Sequence, residues 1–364
     1  MKKLRIFAAL AALCIGFTAC SKIDQGVSEN ESSTSVHEEA DEGAESKSEE
    51  QSQNKIMNPL TGEYGYNEDA VGKRPAAVMV SNIKAALPQY GIDEADIIYE
   101  IPVEGGITRL MAVYADYTNM PNICSVRSCR YYYPKIAYGM DAFYCHWGSD
   151  KTIAMDTLNS LGIDRLDGNE ASLGYGSVFQ RDQQRAQSYS TEHTGYLKGS
   201  EVPEAIEDLG YRTDINDTNK DGAFRFNAPD SPEKPEGEEC LTAKLNFSSA
   251  YFSTFEYDDE KEIYKKYHSG NPHVDGVTGN QLGFKNVLAL GTSVSVRSDG
   301  KLMDIGLDGG DGYYISQGAA EKISWKKESD GDPIKIYDDS GEEIKFNAGK
   351  TYIGLIKESS IEIE

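Results

Sequence analysis

The chain has 364 residues, with 60 Asp and Glu against 36 Lys and Arg, a formal net charge of −24. That length is a prior for about two domains. The acidity argues against a nucleic-acid partner, whose backbone is bound by Lys and Arg neutralising phosphates, and against non-specific adhesion to anionic lipid.

The first twenty residues carry an address. Lys2, Lys3 and Arg5 form a positive start, and the apolar stretch 6–17 is too short to span a bilayer as a helix. It ends at Phe17-Thr18-Ala19-Cys20, a bacterial lipobox pattern, so residues 1–20 read as a lipoprotein signal peptide with Cys20 as the lipidated new N-terminus. Each buried acyl methylene adds roughly 0.8 kcal/mol of membrane affinity. The expected location is therefore the extracytoplasmic face of the cell membrane, with the bilayer as a partner through the anchor. Residues 21–55 are rich in Ser and Glu and include EEADEGAESKSEEQSQ. Such a segment buries too little apolar surface to order itself and reads as a disordered acidic tether, reaching on the order of 30 Å.

The folded body begins at Asn58-Pro59-Leu60-Thr61-Gly62. Residues 75–81, 96–100 and 108–115 read as buried strands, with a turn at Glu104-Gly105-Gly106. A helix is expected within 129–139, a short apolar run at 141–147, and helices at 153–166 and 202–209, the last stopped by Gly210. Residues 168–196 are irregular and Gly-rich. A charged, Pro-containing joint at 214–238 then separates an N-terminal mixed α/β-type domain (56–213) from a β-rich antiparallel one (239–364). From residue 244 the pattern alternates with period two between turns, and NVLALGTSVSV (286–296) reads as one strand. The fold class expected is α+β.

Several stretches occur together and in order: NPLTG (58–62), RPAAVMVSN (74–82), ADIIYEIPVEGGITRLMAVY (95–114), SVRSCR (125–130), DAFYCHWG (141–148), SWKK (324–327) and GKTYIGLI (349–356). Together they resemble the YerB-like lipoproteins of Gram-positive bacteria, a family defined by a domain of unknown function. The resemblance implies a lipobox, a tether and two domains, and carries no reaction. The chain departs from the family pattern at Cys124 and Cys129, where small residues are usual, and at His193-Thr194-Gly195, where a His-Asn-Ser run is usual.

The candidate site collects Glu104, Arg109, Arg127, Arg130 and His146, with His193 as an outside member. Arginines three apart can present two planar forks to one carboxylate or phosphate. Glu104 and His146 are the candidates for catalysis, as base or proton shuttle; Arg109, Arg127, Arg130 and His193 are the candidates for ligand binding. The bland alternative is a salt-bridge network joining strands. Two function classes follow: a non-catalytic cell-envelope binding or accessory protein for a wall-derived or anionic ligand or a partner protein, and a hydrolase or transferase acting on wall material.

Other features carry weaker readings. Cys145 and His146 are neighbours on one strand and point to opposite faces, so they cannot act as a dyad. Asp217, Asn219, Asp221 and Gly222 match the opening of a calcium loop, but Ala228 stands where a bidentate Glu is needed; calcium is the one cofactor suggested. His268 and His273 flank Gly270 in what reads as a polar loop. Cys124 and Cys129 can pair across a turn or stay free. The 23 tyrosines suggest sugar-stacking platforms or, more simply, half-buried strand aromatics.

Overall fold

The structure, a computed structural model, describes residues 55–364. The signal peptide, Cys20 and all but the last residue of the acidic tether lie outside the described residues.

The first half supplies strands β1 (Ala76–Ser81), β2 (Ile97–Val103), β3 (Ile107–Tyr114), β4 (Phe143–His146) and β5 (Arg165–Asp167). It also holds helices α1 (Tyr132–Gly139), α2 (Ile153–Leu161) and α3 (Val202–Asp208). The second half adds β6 (Thr242–Asn246), β7 (Phe252–Asp258), β8 (Ile263–His268) and β9 (Asn286–Gly291). There follow β10 (Val294–Val296), β11 (Met303–Ile305), β12 (Gly309–Ser316), β13 (Ala319–Lys326), β14 (Thr351–Ile356) and β15 (Ile361–Ile363). The fold is α+β, as expected. Two boundaries differ from the sequence reading. Helix α2 ends at Leu161 because Gly162 takes the left-handed conformation, and the chain then re-enters the sheet as β5. The run 286–296 is two strands, β9 and β10, belonging to different sheets.

One mixed sheet runs β13-β12-β9-β14-β2-β3-β1-β4-β5. It continues through the 214–238 joint rather than stopping there: β14, near the C-terminus, lies between β2 and β9, parallel to both. The joint is itself tied down, since Lys73 pairs with Asp214 and Arg225–Phe226 pairs with Lys345–Phe346. Strands β1, β2, β9 and β14 are buried along their whole length, which is why they read as largely apolar runs, with Glu100 in β2 the one charge among them.

Period-two alternation sorts β2 between the two faces of this sheet. Ile97, Tyr99 and Ile101 join α1, α2 and Trp325 on one side. Ile98 faces the other, where α3 and the second sheet, β8-β7-β6-β15, cover it with Leu245, Phe255 and Tyr264. Glu100 lies on that same second face and is completely buried.

Its carboxylate is the centre of a closed polar ring. Oε1 accepts from Asn82 (2.9 Å) and Thr108 (2.7 Å). Oε2 accepts from Ser253 (2.8 Å) and Tyr352 (2.9 Å) and lies 3.1 Å from the Lys266 ammonium. Lys266 also donates to Ser253 (2.8 Å) and faces His273 Nδ1 at 3.1 Å. His273 Nε2 meets Gln89 (3.0 Å), and Gln89 donates to Asn82 (3.1 Å), which returns to Glu100. Burial alone would raise the Glu100 pKa, but Lys266 and the hydroxyl donors outweigh it and hold it below the usual carboxylate range.

This ring predicts a sharp stability test. Lys266→Met keeps the side-chain length but leaves a buried carboxylate without its cation, which costs about 3–5 kcal/mol in equilibrium guanidinium unfolding. Glu100→Leu combined with Lys266→Met removes both charges and is expected to lose clearly less than the single variant. A loss equal to the sum of those of Lys266→Met and Glu100→Leu alone would mean that the pair is not coupled.

Candidate functional site

The parallel strands β1, β4 and β5 end together, and such carboxyl ends commonly carry sites in open sheets. The chain is stitched across them by backbone bonds from Arg127 to Met79 and from Trp147 to Arg127. The expected site residues lie around this rim, divided into separate groups.

Glu104, Arg109 and Arg130 form the first group. Arg130 grips the Glu104 carboxylate through Nε (2.8 Å) and Nη2, and also donates to the Cys129 carbonyl. Arg109 lies 3.8 Å from the same carboxylate and donates to the Ser128 carbonyl at 2.6 Å. Burial disfavours the charged form of Glu104, yet the Arg130 and Arg109 guanidiniums prevail and hold its pKa down at about 2. A carboxylate so held is a poor general base at neutral pH. Arg127 belongs to a second group, donating to the Glu192 carbonyl (2.9 Å) and carboxylate (3.1 Å). The Arg127 and Arg130 side chains therefore grip different carboxylates. His193 stands in the Arg127 group, its Nε2 3.8 Å from Glu192.

His146 is sealed at 0 % exposure, with Nδ1 3.0 Å from the Gly148 carbonyl and 3.8 Å from Asp167. Burial pushes its pKa down. Cys145 points to the opposite face of the sheet from Tyr144, as alternation requires, and burial pushes its thiol up to about 12. Cys124, Cys129, Cys145 and Cys240 are all free and buried, so the Cys124–Cys129 bridge does not form.

Residues absent from the sequence reading complete the second group. The Arg181 guanidinium stacks 4.0 Å from the Trp147 ring centroid and donates to the Thr191 carbonyl at 2.8 Å. Tyr175 meets the edge of the same indole at 6.2 Å and is 53 % exposed. The indole fits because Gly168 and Gly195 leave room: a Cβ would come within 2.5 Å of the ring at Gly168 and 3.1 Å at Gly195. Arg185 braces the rim from below, donating to the His193 and Pro88 carbonyls, both at 2.8 Å. The signal in the sequence was the Gly-rich tract 168–196 itself.

His268 and His273 are not in a polar loop. Both are buried, because β8 alternates Tyr264, Lys266 and His268 inward and the following turn folds His273 back onto Lys266. The residues of the calcium-loop reading do not share one environment. Asp217 is fully exposed, 3.9 Å from Lys220, while Asn219 is turned inward against Asn216. Among the described residues no group of three or more His, Cys, Asp or Glu is placed to hold a metal ion.

The architecture and its rim define a two-part family, and the chain belongs to it: the protein family of unknown function DUF3048. The family's N-terminal domain matches residues 60–212 and its C-terminal domain residues 243–353. The chain is 28% identical over 307 residues to the "Putative lipoprotein YerB" of Bacillus subtilis (strain 168), covering 83% of this chain and 86% of that protein. The crystal structure of YerB from Bacillus subtilis superposes with a TM-score of 0.72 at 26% identity, over 85% of this chain and 100% of that one. The family resemblance read from the motifs therefore holds. Among the described residues, no helix is long and apolar enough to cross a membrane.

The buried histidines set an acid limit on the fold. Burial, reinforced by the Lys266 charge, pushes the His268 pKa down to about 4 from its ordinary 6.5, and His273 moves further in the same direction. Between those values the unfolded chain binds a proton that the folded chain refuses. The contribution to stability is complete above pH 6.5 and is lost as pH falls toward 4, by roughly 1.4 kcal/mol per pH unit for each such proton. Guanidinium unfolding across pH 4–7 is expected to show this fall, and His268→Phe to flatten it by about one proton.

Proposed function

We propose that this protein is a lipid-anchored, extracytoplasmic binding protein of the cell envelope, which holds an anionic wall-derived ligand without transforming it. The similarity to a lipoprotein supports the anchor, and the lipobox ending at Cys20 supports the address.

The observation that carries the binding reading is the ledge of Arg181 on Trp147 with exposed Tyr175 beside it. Aromatic faces stack on the apolar faces of sugar rings, and neighbouring guanidiniums from Arg127 and Arg181 suit a carboxylate or phosphate on the same ligand. Among the described residues Glu192 is the one carboxylate ion-paired with Arg127, so a ligand anion can displace it.

The competing reading, a wall hydrolase or transferase, needs Glu104 and His146 to move protons. The Arg130 clamp on one and the burial of the other weigh against it.

Titration calorimetry with soluble disaccharide-peptide fragments of peptidoglycan tests the proposal. Saturable binding is expected, weakened about tenfold or more by Arg181→Ala and by Tyr175→Ala, with the fragments recovered intact. Unchanged affinity in both variants removes the ledge as the site. Fragment turnover that is lost in Glu104→Gln or His146→Gln establishes the enzyme instead.

A further inference from the structure

A second surface borders the rim on the far side of the Glu104–Gly106 turn. Strands β10 and β11 form a two-stranded hairpin, with Val294 opposite Ile305 and Val296 opposite Met303. Backbone bonds link Ser293 with Gly306 and Arg297 with Leu302. In an antiparallel ladder hydrogen-bonded pairs alternate with non-bonded ones, so the N–H and C=O of Val294 and Val296 point away from β11. On the opposite edge the corresponding groups of Ile305 are capped by the Tyr131 hydroxyl, at 3.3 and 3.4 Å. Among the described residues no group caps the Val294–Val296 edge.

That edge lines a cleft of about 700 Å³, closed on its other sides by the Glu104–Gly106 turn, the 246–249 turn and the segment after β14. Its walls include apolar Val103, Phe247 and Ile356. Val296 is 58 % exposed. Lys301 and Lys357 stand at the cleft, and neither forms an ion pair among the described residues. The carboxylate on the cleft wall, Glu104, is already neutralised by Arg130. On a chain of net charge −24 this is a locally cationic groove beside an open strand edge.

We propose that the Val294–Val296 edge is the docking site for an extended acidic segment of a partner protein, which adds to β10 as a third strand. Edge addition supplies affinity through main-chain bonds, and alternate side chains supply specificity. Apolar residues at alternate positions enter the cleft beside Val103, Phe247 and Ile356, while flanking carboxylates meet Lys301 and Lys357.

The test uses the full-length protein and a fluorescein-labelled peptide, Glu-Val-Thr-Val-Thr-Val-Glu, read by polarisation and by amide hydrogen exchange. Expected are saturable binding and slowed exchange at the Val294 and Val296 amides. Val296→Pro removes one outward N–H without touching the hairpin's own ladder; it is expected to weaken binding about tenfold with an unchanged melting temperature. Lys301→Glu with Lys357→Glu is expected to weaken it comparably, as is replacing the peptide's terminal Glu by Lys. Binding without protection at residues 294 and 296, no binding at all, or full binding by Val296→Pro overturns the proposal. Amides 294 and 296 already protected in the free protein place the acidic segment 21–54 or a second copy on the edge, and overturn it as well.

Discussion

A single ion pair, Glu100 with Lys266, sets terms for much of this fold. Neither side chain has access to water. Charges taken from water are tolerated only when geometry and further hydrogen bonds offset their desolvation. Here the offset comes from five sequence-distant places: Asn82 and Gln89, Thr108, Ser253, His273 and Tyr352. A one-residue slip of β2 against β14 would turn Glu100 to the opposite face, among Trp325 and the apolar residues of α1 and α2. The pair therefore specifies register as well as holding the second sheet to the first. It also dictates protonation. His273 must present a bare Nδ1 to the ammonium and carry its proton on Nε2 toward Gln89.

How much of this was legible in the sequence depends on periodicity. Largely apolar β1 and β2 announce themselves, and helices α1 and α3 fall where their patterns place them. The ring around Glu100 does not announce itself. In Ile263-Tyr264-Lys265-Lys266-Tyr267-His268 either alternation puts one lysine and one tyrosine inside, so local pattern has no preference between Lys265 and Lys266. Only the pairing of β8 with β7, which sets Lys266 opposite Phe255, decides it. The same lack of tertiary information made His268 and His273 look like loop residues. The expected helix runs past the end of α2 because Ile163 and Leu166 continue to supply apolar residues beyond Gly162, which a helix and a short half-buried strand do equally well.

The rim illustrates a different limit. Arg127 and Arg130 lie outside any regular element, where a spacing of three carries no directional meaning. One fork turns to Glu192 and the other to Glu104, across 65 and 26 residues of sequence. Long arginine stems reach whatever carboxylate the fold brings near, so residue type was informative and partnership was not. Arg181 and Tyr175 went unread because their tract has no period at all. Their placement depends on Trp147 fitting against two glycines, a fact of three-dimensional packing.

The state of the histidines bears on what kind of protein this is. All four in the described residues have pKa values lowered, with burial the largest cause in each. Each shift favours the neutral imidazole, and the free thiols are pushed the opposite way, toward the inert protonated form. Catalysis by side chains needs groups whose protonation can change within reach of a ligand. Binding needs only fixed charge, donors and shape, which Arg127, Arg181, Trp147 and Tyr175 supply. That contrast is what supports the proposed reading of a binding protein over that of an enzyme.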